Sequence, residues 1–149
     1  MTAALLETGR RTAGRAAGPR QRRCAAAGAQ LALPAIAGRG RPLVMRAWSF
    51  GEPLVRGQWG IREPAADARP LAPDVLLVPL AAFDRRGRRI GYGAGYYDMT
   101  LAQLRATKPV VAIGVGFAAQ EVEEVPTLAH DQSLDFVLTE REFIDCRDS

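Results

Sequence analysis

Two apolar runs, Asp74-Val-Leu-Leu-Val-Pro79 and Pro109-Val-Val-Ala-Ile-Gly-Val115, bracket the segment Gly91-Tyr-Gly93-Ala-Gly95-Tyr96-Tyr97-Asp98 and the helical pattern that leaves it. Val75–Val78 is short, wholly apolar and bounded by proline, the pattern of a buried strand in a parallel sheet. Tyr96–Arg105 reads as a helix, and the run after Pro109 as a second buried strand. Strand, glycine-rich loop, helix and strand make a βαβ unit. Ligands of open α/β sheets gather at the carboxyl ends of the strands, and the loop after Val78 lies at such an end.

Upstream, Gln30–Ile36 and Leu43–Trp48 read as two strands joined by the turn Gly38-Arg-Gly40-Arg-Pro42. Pro34 cannot donate to a ladder and places its strand at an edge or near a strand end. Between Gly51 and Pro73, prolines 53, 64, 70 and 73 make a surface crossing with one short ordered piece at Gln58–Ile61. Downstream, Gln120–Val125 is a short helix or turn, and Phe136–Thr139 a final strand. The expected fold class is α/β: a three-layer open sheet with mainly parallel strands and flanking helices, plus a hairpin-like N-terminal unit.

A chain of 149 residues, 48% hydrophobic and 24% charged, has the size and composition of one soluble domain. No apolar stretch approaches the roughly 20 residues of a membrane helix, and after Leu5 and Leu6 the N-terminus turns to arginine, glycine and alanine rather than a signal peptide's apolar core. Cys24 and Cys146 sit near opposite ends and read as two reduced thiols of a cytoplasmic protein. The single histidine, His130, excludes a multi-histidine metal centre. Six arginines and one glutamate fall within residues 1–24, whereas the remaining residues carry 14 basic and 15 acidic side chains. The body is therefore nearly neutral, which argues against a general nucleic-acid surface. Residues 1–28, interrupted by Gly9, Gly14, Gly18 and Pro19, read as a basic, disordered arm ahead of a domain at 29–149.

The chemistry concentrates between Asp84 and Asp98. Gly91, Gly93 and Gly95 free the backbone for positive φ and for close approach to a ligand, and N–H groups near a helix N-terminus suit a phosphate chain. Arg85, Arg86, Arg88 and Arg89 supply donors that match phosphate oxygens, although such a cluster alone is more often a solvated hairpin tip. Asp98 is a carboxylate of the type that holds Mg²⁺ beside a bound nucleotide. If the glycine loop and Asp98 serve ATP, Asp98→Ala is expected to weaken Mg-ATP binding with little effect on melting temperature, whereas equal loss of stability and binding would mark a structural carboxylate. A second carboxylate loop, His130-Asp131 to Asp135, precedes the last strand. Asp131 either returns to the rim that carries Asp98 or caps a local turn, while His130 and Asp135 read as local structure. Tyr96, Tyr97, Trp48 and Trp59 each admit a plain core reading.

The order of these motifs closely resembles that of 5-formyltetrahydrofolate cyclo-ligases, also called methenyltetrahydrofolate synthetases. Asp74 to Asp84, Gly87 to Asp98, Ile113-Gly114, Val125-Pro126, His130-Asp131 and Leu134-Asp135 follow in sequence, after Leu31-Ala-Leu-Pro34 and Trp59-Gly-Ile-Arg-Glu63-Pro64. The resemblance implies an ATP- and Mg²⁺-dependent conversion of 5-formyltetrahydrofolate to 5,10-methenyltetrahydrofolate, with release of ADP and phosphate. The γ-phosphoryl passes to the formamide oxygen, N10 attacks the activated carbon, and phosphate departs. Carried over by position, the ATP phosphate loop would be Arg89, Ile90, Gly91, Tyr92, Gly93, Ala94, Gly95, Tyr96 and Tyr97, with Arg89 and Tyr96 as catalytic residues. Trp59 and Tyr96 would meet the folate, and Asp98 and Asp131 the Mg²⁺. The implied protein is a cytoplasmic monomer whose partners are 5-formyltetrahydrofolate and ATP.

The sequence departs from the family in places. No counterpart is recognisable for the family's N-terminal basic helix, strand and loop glutamate, so the alternative expectation is a truncated, catalytically weak or inactive nucleotide-binding relative that lacks a sheet strand. Leu128 stands where the family often has an acidic residue, and Met99 where arginine is common.

Overall fold

A computed structural model describes residues 2–4 and 19–148, with the side chains of 2–4, 19–21, Cys24 and Trp59 outside the description. The first described elements are strand β1 (Thr2–Ala4), helix α1 (Pro19–Ala26) and strands β2 (Gln30–Ile36) and β3 (Leu43–Ala47). The surface crossing contains β4 (Val55–Arg56) and β5 (Arg62–Glu63), paired around a 3₁₀ turn at Gln58–Gly60. Strand β6 (Val75–Pro79) precedes a two-stranded hairpin of β7 (Ala82–Phe83) and β8 (Arg89–Ile90). Helix α2 (Tyr96–Arg105), β9 (Val111–Val115), a 3₁₀ turn at Ala118–Gln120, β10 (Phe136–Leu138) and β11 (Phe143–Asp145) complete the chain.

Seven strands form one mixed sheet in the order β11-β10-β9-β6-β1-β2-β3. Its interior pairings, β10 with β9, β9 with β6, β6 with β1 and β1 with β2, are all parallel, and the edges β3 and β11 are antiparallel. The βαβ unit stands where the apolar runs place it: β6 and β9 are adjacent, with Leu76 opposite Ala112 and Val78 opposite Gly114. A Cβ on Gly114 would collide with Leu134 and Leu80, so the central sheet packs against a residue that has no side chain there.

Alternation sorts the sheet residues onto two faces. Ala32, Met45, Leu76 and Val78 join Leu101, Leu104, Tyr96 and Tyr97 of α2 in the main core. Leu31, Leu33 and Leu77 turn the other way, toward Ala25 of α1, Trp48 and Phe50. Burying a large aliphatic side chain stabilises by about 1.5–3 kcal/mol, so the main cluster dominates the fold. Thr100, buried in α2, accepts the Leu43 N–H at 2.9 Å and donates to the Tyr96 carbonyl at 2.6 Å. That hydroxyl fixes the start of α2 beside the β2–β3 turn.

Four sequence expectations are corrected. The hairpin of β2 and β3 is not a separate unit; it continues the main sheet through β1. Pro34 lies within an inner strand, yet β1 reaches only to Ala32, so the missing N–H falls beyond the end of that neighbour. The stretch read as a disordered arm contains β1 and α1: Thr2–Ala4 fills the slot between β2 and β6, and Pro19 opens a helix as a first-turn residue. Phe136–Leu138 is not the last strand, because β11 folds back antiparallel to it. Residues 1 and 5–18 lie outside the description.

Candidate functional site

The glycine segment divides into two parts with different partners. From Asp84 to Arg89 it is the tip of the β7–β8 hairpin. Asp84, 1% exposed, accepts the N–H groups of Arg86 (2.9 Å) and Arg88 (3.2 Å) on one oxygen and that of Val125 (2.9 Å) on the other, with the Arg88 guanidinium 2.8 Å away. Arg85 reaches Glu121 at 2.7 Å and Glu142 at 2.6 Å, and Arg88 also reaches Glu124 at 3.1 Å. Arg85 and Arg88 are therefore joints between the hairpin and its surroundings, which corrects their assignment as phosphate donors.

Arg89 behaves differently. Its side chain is 5% exposed and lies 3.0 Å from Asp98 Oδ2. Its Nε is buried and makes no hydrogen bond. A Cβ on Gly91 would fall 2.7 Å from Arg89 Nη1, and Gly91 is not among the glycines with positive φ. Gly91 thus lies against the Arg89 guanidinium, and no left-handed backbone requires a glycine there. Gly93 (φ +97) and Gly95 (φ +69) do take left-handed conformations, and neither would meet an atom within 4 Å if it carried a Cβ. Gly95 is the N-cap of α2 and provides no side-chain cap, which leaves the first N–H groups of the helix for another acceptor.

Gly93 opens onto a cleft of about 470 Å³, which Ala94 and Tyr96 line beside it and to which the separate segment Arg39-Gly40 also contributes. Arg39 and Gly40 belong to the β2–β3 turn and were not singled out from sequence. The usable signal was a second turn, Gly38-Arg-Gly40-Arg, rich in the same residue types. The other loop residues point elsewhere. Tyr92 is 75% exposed, and its hydroxyl donates to the Leu80 carbonyl at 3.1 Å. Ile90 is exposed. Tyr97 packs on the core, and burial pushes its phenol above the ordinary tyrosine value against a smaller opposing pull from Arg89, so it stays protonated and is no base at neutral pH.

One candidate metal carboxylate, Asp98, stands in the first turn of α2, and the other, Asp131, in the loop before β10. Asp98 Oδ1 accepts the Gln132 N–H at 2.9 Å, which brings the residue after Asp131 against the start of α2. Asp131 itself caps a turn: its Oδ2 accepts the Leu128 N–H at 2.7 Å, and its Oδ1 is 3.6 Å from His130 Nε2. His130 is otherwise exposed. Asp135 is structural, accepting the Ala112 N–H at 2.7 Å and pairing with Arg105 at 3.0 Å. No group of three or more His, Cys, Asp or Glu residues suited to a metal occurs among the described residues. Two carboxylates are the donor set of a hard cation such as Mg²⁺ only where phosphate oxygens and water complete its shell. Asp98 has a structural duty: it pairs with the buried Arg89. Removing it would strand the buried Arg89 charge, so the expectation that melting would be indifferent to its loss is withdrawn.

Trp59 stands in the 3₁₀ turn at Gln58–Gly60, with its side chain outside the described residues. No helix among the described residues is long and apolar enough to cross a membrane.

The chain is 36% identical over 115 residues to the 5-formyltetrahydrofolate cyclo-ligase of Mycolicibacterium smegmatis, covering 74% of this chain and 54% of that one. It is 42% identical over 85 residues to the Escherichia coli K12 enzyme of the same name, covering 53% and 45% respectively. The chain thus spans about half the length of these curated relatives. The solved structure of Aquifex aeolicus 5,10-methenyltetrahydrofolate synthetase superposes with a TM-score of 0.71 at 25% identity, over 99% of this chain and 72% of that one. The profile of the 5-formyltetrahydrofolate cyclo-ligase family matches residues 21–140, a span that includes the hairpin, the glycine loop, α2 and the Asp131 loop, and the chain belongs to that family.

Proposed function

We propose that this chain carries out the ATP-dependent conversion of 5-formyltetrahydrofolate to 5,10-methenyltetrahydrofolate, releasing ADP and phosphate in the cytoplasm. The observation that carries the reading is the cleft lined by Gly93 and Ala94, where left-handed backbone leads into the first turn of α2, which has no side-chain cap. Such a surface accepts anionic oxygens through N–H groups without a side chain intervening.

In this reading residues 89–97 hold the phosphate chain, with the backbone at Gly93, Ala94 and Gly95 as donors. Arg89, whose Nε has no acceptor, is held in reserve beneath the loop by Asp98. Its fixed positive charge offsets the charge that builds on the transferring phosphoryl group. Tyr96 lines the cleft at the start of the helix and offers an aromatic face to the flat pterin; Trp59 is assigned to the same substrate by the family resemblance alone. Asp98 and Asp131 would hold Mg²⁺, which neutralises phosphate charge and fixes the orientation of the oxygens. Tyr97 remains neutral and packs against the core. Phosphorylating the formamide oxygen makes it a leaving group, after which N10 closes the ring. What is asked of the protein is alignment of two substrates and electrostatic support, with little covalent chemistry of its own.

The experiment is direct. Purified protein is mixed with 5-formyltetrahydrofolate and Mg-ATP, and methenyltetrahydrofolate is followed by absorbance. ATP-dependent turnover is the expected result. Folded protein that binds Mg-ATP without turnover would reduce the reading to a nucleotide-binding relative, and absence of nucleotide binding would end it.

A further inference from the structure

The wall opposite the glycine loop carries a charge that the proposed function does not use. Arg39 projects from the turn between β2 and β3 and lines the same cleft as Gly93, Ala94 and Tyr96. It is exposed. No hydrogen bond or ion pair among the described residues engages its guanidinium. In this it contrasts with Arg85 and Arg88, which are occupied by Glu121, Glu142, Asp84 and Glu124. It also contrasts with Arg41, two residues on, whose side chain lies back over Gly38, 3.3 Å from where a Cβ on that glycine would be, and does not line the cleft.

The turn is held in place. Its first residue donates nothing across the cleft, but the Arg41 N–H returns to the Gly38 carbonyl at 3.3 Å, closing the turn. The strand that follows is tied to α2 by the Leu43 N–H on Thr100 Oγ1. Gly40, with φ +71 and no neighbour within 4 Å of a notional Cβ, lets the backbone bend while leaving the cleft mouth clear. An unpaired cation thus faces a wall of open N–H donors across a space large enough for an anionic ligand.

We propose that Arg39 is a second anion-binding residue of this cleft, closing on the phosphate chain of the nucleotide from the side opposite the glycine loop. The inference rests on the nucleotide reading above and adds a residue and a direction of approach to it. Guanidinium matches phosphate oxygens in a planar, two-pronged geometry that lysine cannot reproduce. A charge-assisted contact from an exposed position is worth about tenfold in affinity.

The test is calorimetric titration of the full chain with Mg-ATP and, separately, with 5-formyltetrahydrofolate, for wild type, Arg39→Ala, Arg39→Lys and Arg41→Ala. The expected result is about a tenfold loss of Mg-ATP affinity in Arg39→Ala, a smaller loss in Arg39→Lys, and wild-type behaviour in Arg41→Ala, with melting temperatures unchanged throughout. Unchanged Mg-ATP affinity in Arg39→Ala overturns the assignment while leaving the nucleotide site in place. So does a loss confined to folate, which would turn Arg39 toward a substrate carboxylate instead. Equal loss in Arg41→Ala would make the effect one of overall charge and overturn it too. Wild-type protein that binds no nucleotide brings down the functional reading and this residue with it.

Discussion

The hairpin tip and the glycine loop are adjacent in sequence, share arginine and glycine, and differ in what their groups touch. At the tip Asp84, Arg85 and Arg88 all have internal partners. Asp84 is surrounded by Arg88 and three backbone N–H groups. Gly87, at φ +79, is glycine because a side chain would run into the Leu134 carbonyl. In the loop, Gly93 and Gly95 are also left-handed, but the space a side chain would take is empty. One set of glycines is required by packing and the other leaves a surface open. A glycine-rich motif points to a ligand only in the second case.

Breaking the tip has the largest expected effect. Asp84→Ala leaves the Arg88 charge and three backbone N–H groups without their buried acceptor, and is expected to lower stability by about 3–5 kcal/mol, read from urea denaturation. Against a typical total of about 5–15 kcal/mol, that approaches loss of the fold. A cost below about 1 kcal/mol would mean that water replaces the carboxylate and that the tip is not the joint described.

The comparison is sharpened by substituting alanine in the two kinds of glycine. Gly87→Ala combines a left-handed backbone with a clash against main chain and is expected to cost about 2–4 kcal/mol of stability. Gly93→Ala carries the backbone strain alone, about 1–2 kcal/mol, yet is expected to weaken Mg-ATP binding by tenfold or more. If both variants lose stability equally and Gly93→Ala binds nucleotide normally, the distinction between packed and open glycines fails.

The smallest effect belongs to Arg85, an exposed cation between Glu121 and Glu142. Its hydrogen bond holds the Glu142 carboxyl below the usual glutamate range. A carboxyl depressed in the folded state contributes stability above its unfolded value, about 4.3, and loses it as pH falls through the folded value. Arg85→Ala is therefore expected to lower the melting temperature by at most about 2 °C at neutral pH, with the difference from wild type vanishing as the solution is acidified below about pH 4. A difference that grows in acid would contradict the pairing.

Much of the fold was legible where a local pattern and the tertiary structure agree. The β6–α2–β9 unit follows from two proline-bounded apolar runs and a helix that begins after Gly95. Strand β1 was not legible, since Thr2–Ala4 has low strand preference and is placed only by its partners on both sides. Strand β11 hides for the same reason: three residues, one of them Asp145, show no extended apolar run, and only pairing with β10 reveals it. Helix α1 could have been read, because proline is favoured in a first helical turn. Of the candidate site, Gly93 and Asp98 were named from local pattern alone; the first lines the cleft, and the second accepts the Gln132 N–H. The partners of Arg85 and Arg88 lie 36 or more residues away, apart from Asp84, and no spacing announces them. Arg39 was hidden for a similar reason, since its facing wall is supplied by residues more than fifty positions on.

The central claim is that Asp98 serves a metal-bound nucleotide in addition to pairing with Arg89. It is tested most directly by titrating Asp98→Asn and wild type with ATP, with and without Mg²⁺. Asparagine keeps one oxygen for the Gln132 N–H and removes the charge. The account predicts a folded variant, somewhat less stable, whose ATP binding no longer strengthens when Mg²⁺ is added, while that of wild type does. A variant that loses stability yet keeps the full Mg²⁺ enhancement would show that Asp98 is only the partner of Arg89.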